Sequence, residues 1–293
     1  MIGRRVIEQL GRQGGRIRAL LRHNTVTAQG IEVVVGDLTS DETLCELLDG
    51  VDTVFHCAAE LHEVSRMHVV NVTATERLAQ LAAVQGVACF IYISSAGVIG
   101  PTRNLLIDEA TPCHPCNAYE VSKFQAEQAL VYLSGSTMRL CVLRPVNVID
   151  DERPGVLAMV LRNSWQDRLS LFIKGGESAH LVHAVDVAAA AVHLAVSPLQ
   201  PEGTFFVGCD EDNRNTVSGV VRMCRKVCGA GKASALHFPV SVPYWLRRMA
   251  RGGSLHGASR FSSAKLMATG FTFPLGLGAA IERVCSGWRS RER

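Results

Sequence analysis

The amino-acid sequence predicts an α/β fold, with a doubly wound parallel sheet covered by helices on both faces. Short apolar runs alternate with longer segments that have helical periodicity. The runs are continuously apolar rather than alternating, which is typical of strands buried on both faces of a parallel sheet. After about Leu143 this rhythm gives way to turn-rich segments, and we expect a smaller, mixed C-terminal domain there.

The N-terminal half is expected to contain five strands and four helices. The apolar runs predict strands at Arg16–Leu21, Ile31–Val35, Thr53–Cys57, Ala88–Ser94 and Met138–Leu143. Helical periodicity predicts helices at Ile2–Gln13, Asp41–Leu48, Val69–Val84 and Tyr119–Leu133. Thr39 and Glu42 have the spacing of a capping box at the start of the second helix.

The C-terminal half is less regular. An amphipathic helix is expected around Val156–Trp165, a strand at Leu169–Ile173, a helix from near Asp186 and a strand at Thr204–Val207. We divide the chain into a first domain of residues 1–148 and a second of residues 149–293. Residues 180–207 are expected to return to the first domain and extend its sheet.

The composition limits the classes of function. The formal net charge of +3 is too small and too scattered for a nucleic-acid-binding surface. The longest apolar stretch is interrupted by His183, Asp186 and His193, so no membrane-spanning segment is expected. The ten cysteines are dispersed without the paired spacing of a zinc site, which favours reduced thiols and no bound metal. We therefore expect a soluble, cytoplasmic protein.

Two residues of the helix predicted at Tyr119–Leu133 have the spacing of an acid–base pair. Tyr119 and Lys123 are four positions apart, so both side chains lie on one helix face. A free tyrosine has a pKa of about 10, and an adjacent lysine ammonium would lower that pKa and favour the phenolate. The pair is a weak signal alone, because a surface pair on an amphipathic helix has the same spacing.

Small and polar residues follow two of the predicted strands. Ser95 comes directly after one strand, at the carboxyl edge where open parallel sheets bind ligands. Its hydroxyl is a candidate to hydrogen-bond a substrate carbonyl while Tyr119 moves the proton. Ala58 and Ala59 follow the preceding strand, and their small side chains would let a dinucleotide approach the backbone.

In their order along the chain, these residues resemble the extended short-chain dehydrogenase/reductase superfamily, specifically its NAD-dependent epimerase/dehydratase group. The matching segments are VVVGDLTS, FHCAA, NVTATERL, SSAGVIG, YEVSK, LRPVNV, LVHAVDVAAAAVHLA and FSSAKLMATGF. They extend over almost the whole chain, and the set is far more specific than any single motif. The resemblance implies a Rossmann-like dinucleotide-binding domain in residues 1–148 and a mainly substrate-binding domain in residues 149–293.

The resemblance also implies roles for individual residues. Ser95, Tyr119 and Lys123 match the catalytic positions, and Ser95 and Asn147 are expected to contact substrate. The residues that match cofactor-contacting positions are Gly3, Asp37, Leu38, Ala58, Ala59, Asn71, Tyr119, Lys123, Pro145 and Val148.

The first residues, MIGRRVIEQL, resemble the end of the family's glycine-rich loop and the helix that follows it. Gly3 matches the third glycine of Gly-x-x-Gly-x-x-Gly, whereas the first strand and two glycines have no counterpart. Those glycines let the backbone approach the pyrophosphate, and the strand is central to the sheet. Either the start codon is misplaced or the chain is a remnant that binds dinucleotide poorly, and the intact Ser–Tyr–Lys set favours the first.

The expected cofactor depends on Arg22. An acidic residue about twenty positions after the glycine motif normally accepts the ribose hydroxyls of NAD. No aspartate or glutamate lies between Arg12 and Ile31, and Arg22 ends a predicted strand, where it can pair with a 2′-phosphate. A solvent-facing arginine is the alternative. NADP(H) is therefore preferred, and NAD(H) stays open.

Three functions are compatible with these residues. The first is a dehydrogenase or reductase acting on a small-molecule carbonyl or alcohol. The second is a nucleotide-sugar epimerase that uses the same residues without net redox change. The third is a non-catalytic dinucleotide-binding scaffold or sensor, which has no physical need for the Ser–Tyr–Lys set. The apolar stripe of FQAEQALVYL favours a homodimer. The alternative is that this stripe packs against the sheet of its own chain.

Overall fold

The computed structural model of the chain describes residues 1–23, 30–133, 138–162, 176–228 and 257–292. The chain divides into two compact units, each built from three segments. Unit 1 comprises Met1–Val98, Pro115–Arg144 and Ala188–Phe205, and unit 2 comprises Ile99–His114, Pro145–Val187 and Phe206–Arg293. The strand predicted at Leu169–Ile173 and the end of the helix predicted at Val156–Trp165 lie outside the described residues.

The secondary structure follows the predicted alternation closely in the N-terminal half. The strands are β1 (Ile17–Leu21), β2 (Ile31–Val35), β3 (Thr53–His56), β4 (Cys89–Ile93), β5 (Leu106–Ile107), β6 (Arg139–Pro145), β7 (Asn147–Ile149), β8 (Leu181–His183), β9 (Gly203–Val207) and β10 (Arg260–Phe261). The helices are α1 (Ile2–Arg12), α2 (Asp41–Leu48), α3 (Val64–Met67), α4 (Ala74–Val84), α5 (Ala118–Leu133), α6 (Leu157–Arg162), α7 (Ala184–Val196), α8 (Val217–Cys228), α9 (Ala264–Met267) and α10 (Gly276–Glu292). A π-helical stretch, His68–Thr73, joins α3 to α4.

The longer strands form two sheets, and the pairs β1–β2, β3–β4 and β4–β6 are parallel. β1 pairs with β2, and a four-stranded sheet has the order β3-β4-β6-β9. Every residue of β4 is buried, as expected for a strand covered on both faces. Over the described residues β1 and β3 do not pair with each other, and α1 contacts both of them. The predicted α/β class is confirmed, with the sheet divided between β1 and β3.

The N-terminus of α2 corrects one detail of the sequence analysis. The N-cap residue is Ser40, whose Oγ accepts a hydrogen bond from the Thr43 N–H at 3.3 Å. Thr39 instead donates its hydroxyl to Asp37 Oδ1 at 2.7 Å. The predicted Thr39–Glu42 capping box is therefore wrong by one residue, because the side chain of Thr39 is already used by the turn that follows β2.

A single side chain holds the C-terminus of α7. The Arg139 guanidinium, on β6, donates to the carbonyls of Leu194, Ala195 and Pro201, each at 2.8 Å. The Leu194 and Ala195 carbonyls are ones that a helix end leaves without intrahelical partners, and the Pro201 carbonyl belongs to the turn that follows. Arg139 therefore connects the end of α7, and the turn before β9, to the middle of the sheet within unit 1.

Unit 2 contains two short parallel pairings, β7 with β8 and β5 with β10. Because β5 pairs with β10, residues Ile99–His114 belong to unit 2, whereas the sequence-based division kept them in the first domain. Helix α10 packs against α8 and β8. Among the described residues, no helix combines the length and apolar character needed to cross a membrane.

Candidate active site

Helix α5 carries the central pair of the site. It begins after Asn117, whose Oδ1 accepts a hydrogen bond from the Glu120 N–H at 2.9 Å, as an N-cap does. The buried side of the helix includes Lys123, Ala126, Glu127 and Leu130, since residues three and four apart share one face. Tyr119 lies half-buried in the first turn, so the helix begins at the edge of the core.

Lys123 is buried, with 1% of its surface exposed. Its Nζ atom lies 4.1 Å from the centroid of the Tyr92 ring, a cation–π contact. Burial lowers the pKa of Lys123 to about 7, and the Glu127 carboxylate one turn along α5 opposes this shift. Burial therefore makes this lysine much easier to deprotonate than an exposed one.

The pKa of Tyr119 moves opposite to the sequence-based expectation. Burial raises it, because the phenolate is penalised more than the phenol by the loss of water. We expected Lys123 to lower this pKa, but the lysine ammonium lies over the Tyr92 ring instead. In this structure Tyr119 is a protonated phenol, which suits it to donate a proton.

His56 and Tyr92 support Lys123 and were not predicted from the sequence. They are opposite each other in the β3–β4 pairing, and their rings stack with centroids 5.5 Å apart. Burial, and then the Lys123 charge, lowers the pKa of His56 to about 3, so its ring is neutral. His56 Nε2 lies 2.8 Å from Thr75 Oγ1. The only sequence signal was that both aromatic residues stand near the carboxyl end of a strand.

A second missed feature is the buried ion pair between Glu127 and Arg144. The Arg144 Nε and Nη2 atoms donate to Glu127 Oε1 and Oε2 at 3.1 and 2.6 Å. Only 7% of the arginine side chain and 6% of the glutamate side chain are exposed. The pair fixes Glu127 one turn from Lys123, where its charge favours the ammonium form of the lysine.

Ser95 follows β4 in a tight turn. Its Oγ accepts a hydrogen bond from the Gly97 N–H at 3.1 Å. A Cβ added at Gly97 would lie 3.2 Å from both Ser95 Oγ and Glu120 Cγ, so this turn packs against the first turn of α5. Glycine at this position lets the Ser95 turn come close to the helical turn that carries Tyr119.

Three residues predicted to contact the cofactor lie at the start of α1 and just after the carboxyl end of β3: Gly3, Ala58 and Ala59. Gly3 is in the first turn of α1, and a Cβ there would be 3.5 Å from Cys57 Cβ. No side chain caps the N-terminus of α1, which leaves its first N–H groups available to an anion. Ala58 is exposed and Ala59 half-buried. A helix N-terminus beside small residues fits a dinucleotide pyrophosphate.

Asp37 and Arg22 follow the ends of β2 and β1. The N–H and hydroxyl of Thr39 lower the pKa of Asp37, and the charges of Arg22 and Arg66 add to the effect. Arg22 is exposed. Leu38 is instead part of the hydrophobic core of unit 1.

Asn71 uses its whole side-chain amide inside unit 1. Oδ1 accepts from the Glu60 N–H at 2.7 Å, and Nδ2 donates to the Glu60 carbonyl and Ser122 Oγ, each at 3.0 Å. These bonds fasten the loop after β3 to α5. A direct contact of Asn71 with cofactor stays a prediction.

The remaining predicted residues lie in unit 2. Pro145 is buried, Val148 is half-buried, and Asn147 donates its Nδ2 to the Ala179 carbonyl at 2.9 Å. Unit 2 also has a polar cavity that no predicted site residue lines. It is lined by Gly176, Ser178, Asp210, Asp212, Asn213, Asn215, Thr216, Gly257, Ala258 and Arg260.

The parallel α/β fold, with Ser95 after β4 and Tyr119 and Lys123 at the start of α5, is that of the short-chain dehydrogenase/reductase type. The sequence profile of the NAD dependent epimerase/dehydratase family matches residues 1–208, so the chain belongs to that family, as predicted.

Three similar proteins illustrate the relationship. Sterol-4-alpha-carboxylate 3-dehydrogenase, decarboxylating, of Dictyostelium discoideum is 31% identical over 215 residues, covering 67% of this chain and 64% of that protein. The 4-hydroxy-2-methyl-3-oxo-4-farnesyl-3,4-dihydroquinoline-1-oxide ketoreductase of Stigmatella aurantiaca is 31% identical over 154 residues, covering 49% and 46%. A short-chain dehydrogenase/reductase superfamily protein from Agrobacterium tumefaciens, solved with bound NAD, has 21% identity and a TM-score of 0.76, covering 100% and 95%. The chain spans about half to two thirds of the length of these two curated relatives.

Proposed function

We propose that the chain is an NAD(P)-dependent oxidoreductase that interconverts a carbonyl and an alcohol, with proton transfer at Tyr119. The observation that carries this proposal is a half-buried phenol with a raised pKa, one turn from buried Lys123 and beside the Ser95 turn. Similarity to a ketoreductase and a sterol dehydrogenase supports net redox chemistry, and similarity to a UDP-glucose 4-epimerase supports the alternative, a nucleotide-sugar epimerase.

The chemistry follows from these groups. In reduction, Ser95 Oγ donates a hydrogen bond to the carbonyl oxygen, and the Tyr119 phenol delivers its proton as that oxygen gains negative charge. The nicotinamide, when bound, supplies the hydride to the carbonyl carbon. Lys123 would hold the nicotinamide ribose when the cofactor is bound, and its positive charge, one helical turn away, would favour the phenolate that Tyr119 becomes. In oxidation the same phenolate accepts the alcohol proton.

The nucleotide is held by residues at the ends of β1, β2 and β3. We assign the pyrophosphate to the first N–H groups of α1 around Gly3, where Ala58 and Ala59 leave space. Arg22 is assigned to the 2′-phosphate of NADP(H), because it and Arg66 place two positive charges near the single carboxylate of Asp37. The binding role of unit 1, the substrate role of unit 2 and the contacts of Asn147, Pro145 and Val148 belong to the same proposal.

The test of the reaction is the consumption of NADPH or NADH with a panel of ketones, secondary alcohols and nucleotide sugars. Tyr119→Phe is expected to lower kcat by about 10²–10⁴-fold, the usual worth of a positioned acid–base group. Tyr132→Phe is the matched control, since this tyrosine lies on the same helix with 89% of its surface exposed. Full turnover in Tyr119→Phe would refute the mechanism. Conversion of a nucleotide sugar without net cofactor consumption would favour the epimerase.

The test of cofactor preference is calorimetric titration with NADPH and NADH. We expect tighter binding of NADPH, and a loss of about tenfold or more for NADPH in Arg22→Ser with NADH unchanged. The exposed Arg103, in unit 2, provides the control variant Arg103→Ser. Tighter binding of NADH by the unmodified chain would overturn the assignment of Arg22.

A homodimer and a cytoplasmic location complete the proposal. Helix α5 exposes Val121 and Val131, with 37% and 62% of their surfaces accessible, and a second copy would cover them. Light scattering after size exclusion should therefore give twice the mass of one chain, and Val131→Lys should give the monomer. A monomeric unmodified chain would remove the dimer from the proposal.

A further inference from the structure

Lys123 is a buried lysine whose ammonium has no hydrogen bond to any other residue that the structure describes. Its close contact is the face of the Tyr92 ring, whose centroid lies 4.1 Å from Nζ. A buried charge is costly unless a nearby group stabilises it, and the negative face of an aromatic ring does so for a cation. The ring is therefore the first candidate for the group that fixes where this ammonium lies.

Glu127 is the second candidate, because it lies one turn along α5 and its charge favours the ammonium form of Lys123. Its two carboxylate oxygens accept hydrogen bonds from Arg144, at 3.1 and 2.6 Å. The guanidinium thus already balances this negative charge, and in the described part of the chain no hydrogen bond joins Glu127 to Lys123. Glu127 acts on Lys123 through its charge, whereas the Tyr92 ring is in direct contact with the ammonium.

The Tyr92 ring is itself held in place by the neighbouring strand and by α4. It is completely buried, and the His56 ring, opposite it in the β3–β4 pairing, stacks with it at a centroid distance of 5.5 Å and an angle of 23° between the planes. His56 Nε2 lies 2.8 Å from Thr75 Oγ1 on α4, which fixes the histidine ring in turn. The surface that receives the ammonium is therefore fixed by packing, as a group that positions another needs to be.

The hydroxyl of Tyr92 does not account for this contact. Its oxygen is buried and has no hydrogen-bond partner among the described residues. Burial raises the pKa of Tyr92, so the residue is not a phenolate that could pair with the ammonium. A buried hydroxyl without a partner destabilises a fold, and phenylalanine would bury the same ring without it. The part of Tyr92 that interacts with Lys123 is the ring.

We propose that Tyr92 is a positioning residue for Lys123, and that the face of its ring, rather than its hydroxyl, holds the ammonium in place. This role rests on the proposed function, in which Lys123 would hold the nicotinamide ribose, because the ring then determines where the cofactor meets the ammonium. Tyr92 acts only through Lys123 and is not assigned a contact with substrate or with the reacting atoms.

The experiment weakens the negative face of the ring while nearly preserving its size, so that the fold is kept. Position 92 is occupied in turn by phenylalanine and by phenylalanines that carry one, two or three fluorine atoms, which withdraw electron density from the ring face. The pKa of Lys123 is measured by NMR titration of the full chain labelled at the lysine Cε carbons. Its signal is identified by its loss in Lys123→Met. The titration needs no cofactor or substrate, so its result does not depend on the proposed function.

Tyr92→Phe should leave the pKa of Lys123 unchanged, because the ring face remains. Each added fluorine should lower that pKa, since the ammonium loses stabilisation and the neutral amine does not. Loss of the whole contact should favour the amine by about tenfold. The affinities for NADPH and NADH, measured by calorimetry, should fall in the same order. Phe90 provides the matched control, because it is also completely buried on β4 and the same fluorinated residues there should leave the pKa of Lys123 unchanged.

Three results would overturn the role of the ring. They are a pKa of Lys123 that stays constant across the fluorine series, an equal fall from the series at Phe90, and a fall in Tyr92→Phe as large as that in the most fluorinated variant, which would assign the contact to the hydroxyl. If the pKa falls across the series while both nucleotides bind equally well throughout, the ring holds the lysine and the ribose contact of the proposed function is wrong. The two failures are therefore distinguishable.

Discussion

Replacing Glu127 with glutamine should destabilise the protein strongly, although the change removes only a charge. Glu127 and Arg144 bury their side chains to 6% and 7% exposure and make two hydrogen bonds, at 3.1 and 2.6 Å. In Glu127→Gln the Arg144 guanidinium stays buried without a counter-charge. The amide also presents one oxygen and one NH₂ group to a donor that needs two acceptors.

The size of the effect follows from the burial of the pair. Breaking a buried ion pair by removing one partner costs about 3–5 kcal/mol, because an uncompensated charge is left in the interior. Glutamine keeps one acceptor oxygen, so we expect the lower end, about 3 kcal/mol. Replacing both residues, as Glu127→Leu with Arg144→Met, should cost less than either single replacement, since no buried charge then lacks a partner.

Urea unfolding measures these differences in the unmodified chain, in Glu127→Gln, in the single variants Glu127→Leu and Arg144→Met and in their double variant, provided that the slope with denaturant is unchanged. The matched control is Asp41→Asn, because Arg77 also makes two hydrogen bonds to Asp41, at 2.9 and 2.6 Å, but on the surface. An exposed pair contributes little, so the control should unfold close to the unmodified chain. If Glu127→Gln unfolded at a urea midpoint no lower than that of Asp41→Asn, burial would not determine the loss of stability when an ion pair is broken.

Three further predictions concern the site. Burial lowers the pKa of Lys123 from 10.5 to about 7. Between these pH values the unfolded chain binds more protons than the folded chain, so the free energy of unfolding should rise with pH. The free energy of unfolding of Lys123→Met should lack this rise. Gly97→Ala should lower kcat, because the added Cβ would displace Ser95, whereas Gly11→Ala should not, because no atom lies within 4 Å of its added Cβ. Equal kcat values for the two variants would contradict the close approach of the Ser95 turn to α5. Asn71→Ala should cost about 1–3 kcal/mol in urea unfolding, because the Glu60 N–H loses its buried partner, and an unchanged midpoint would show that water replaces the amide.

The parallel strands and their helices were predictable because local sequence determines them. The bounds of β2 and α2 match the predicted Ile31–Val35 and Asp41–Leu48, since continuous apolar runs and helical periodicity need no tertiary information. One feature depended on a contact between distant segments. Residues Ile99–His114 joined unit 2 through the pairing of β5 with β10.

The sequence was enough to predict which residues form the candidate site, but not the directions in which their pKa values shift. Tyr119, Lys123 and Ser95 could be singled out from motif spacing. The register of β3 against β4, which stacks His56 on Tyr92, could not. That register places an aromatic face under the Lys123 ammonium, and it explains why burial, rather than the lysine, sets the pKa of Tyr119.

Arg139 has a consequence for the order in which the protein assembles. The Leu194 and Ala195 carbonyls, in the last turn of α7, accept hydrogen bonds from a side chain on β6, so this part of the helix end is completed only when that strand is in the sheet. We infer that α7 and the turn to β9 consolidate after the transition state for folding. Arg139→Lys, which replaces a planar fork by a single ammonium, should then speed unfolding and leave the refolding rate nearly unchanged in stopped-flow measurements. A slower refolding limb would place α7 in the folding nucleus instead.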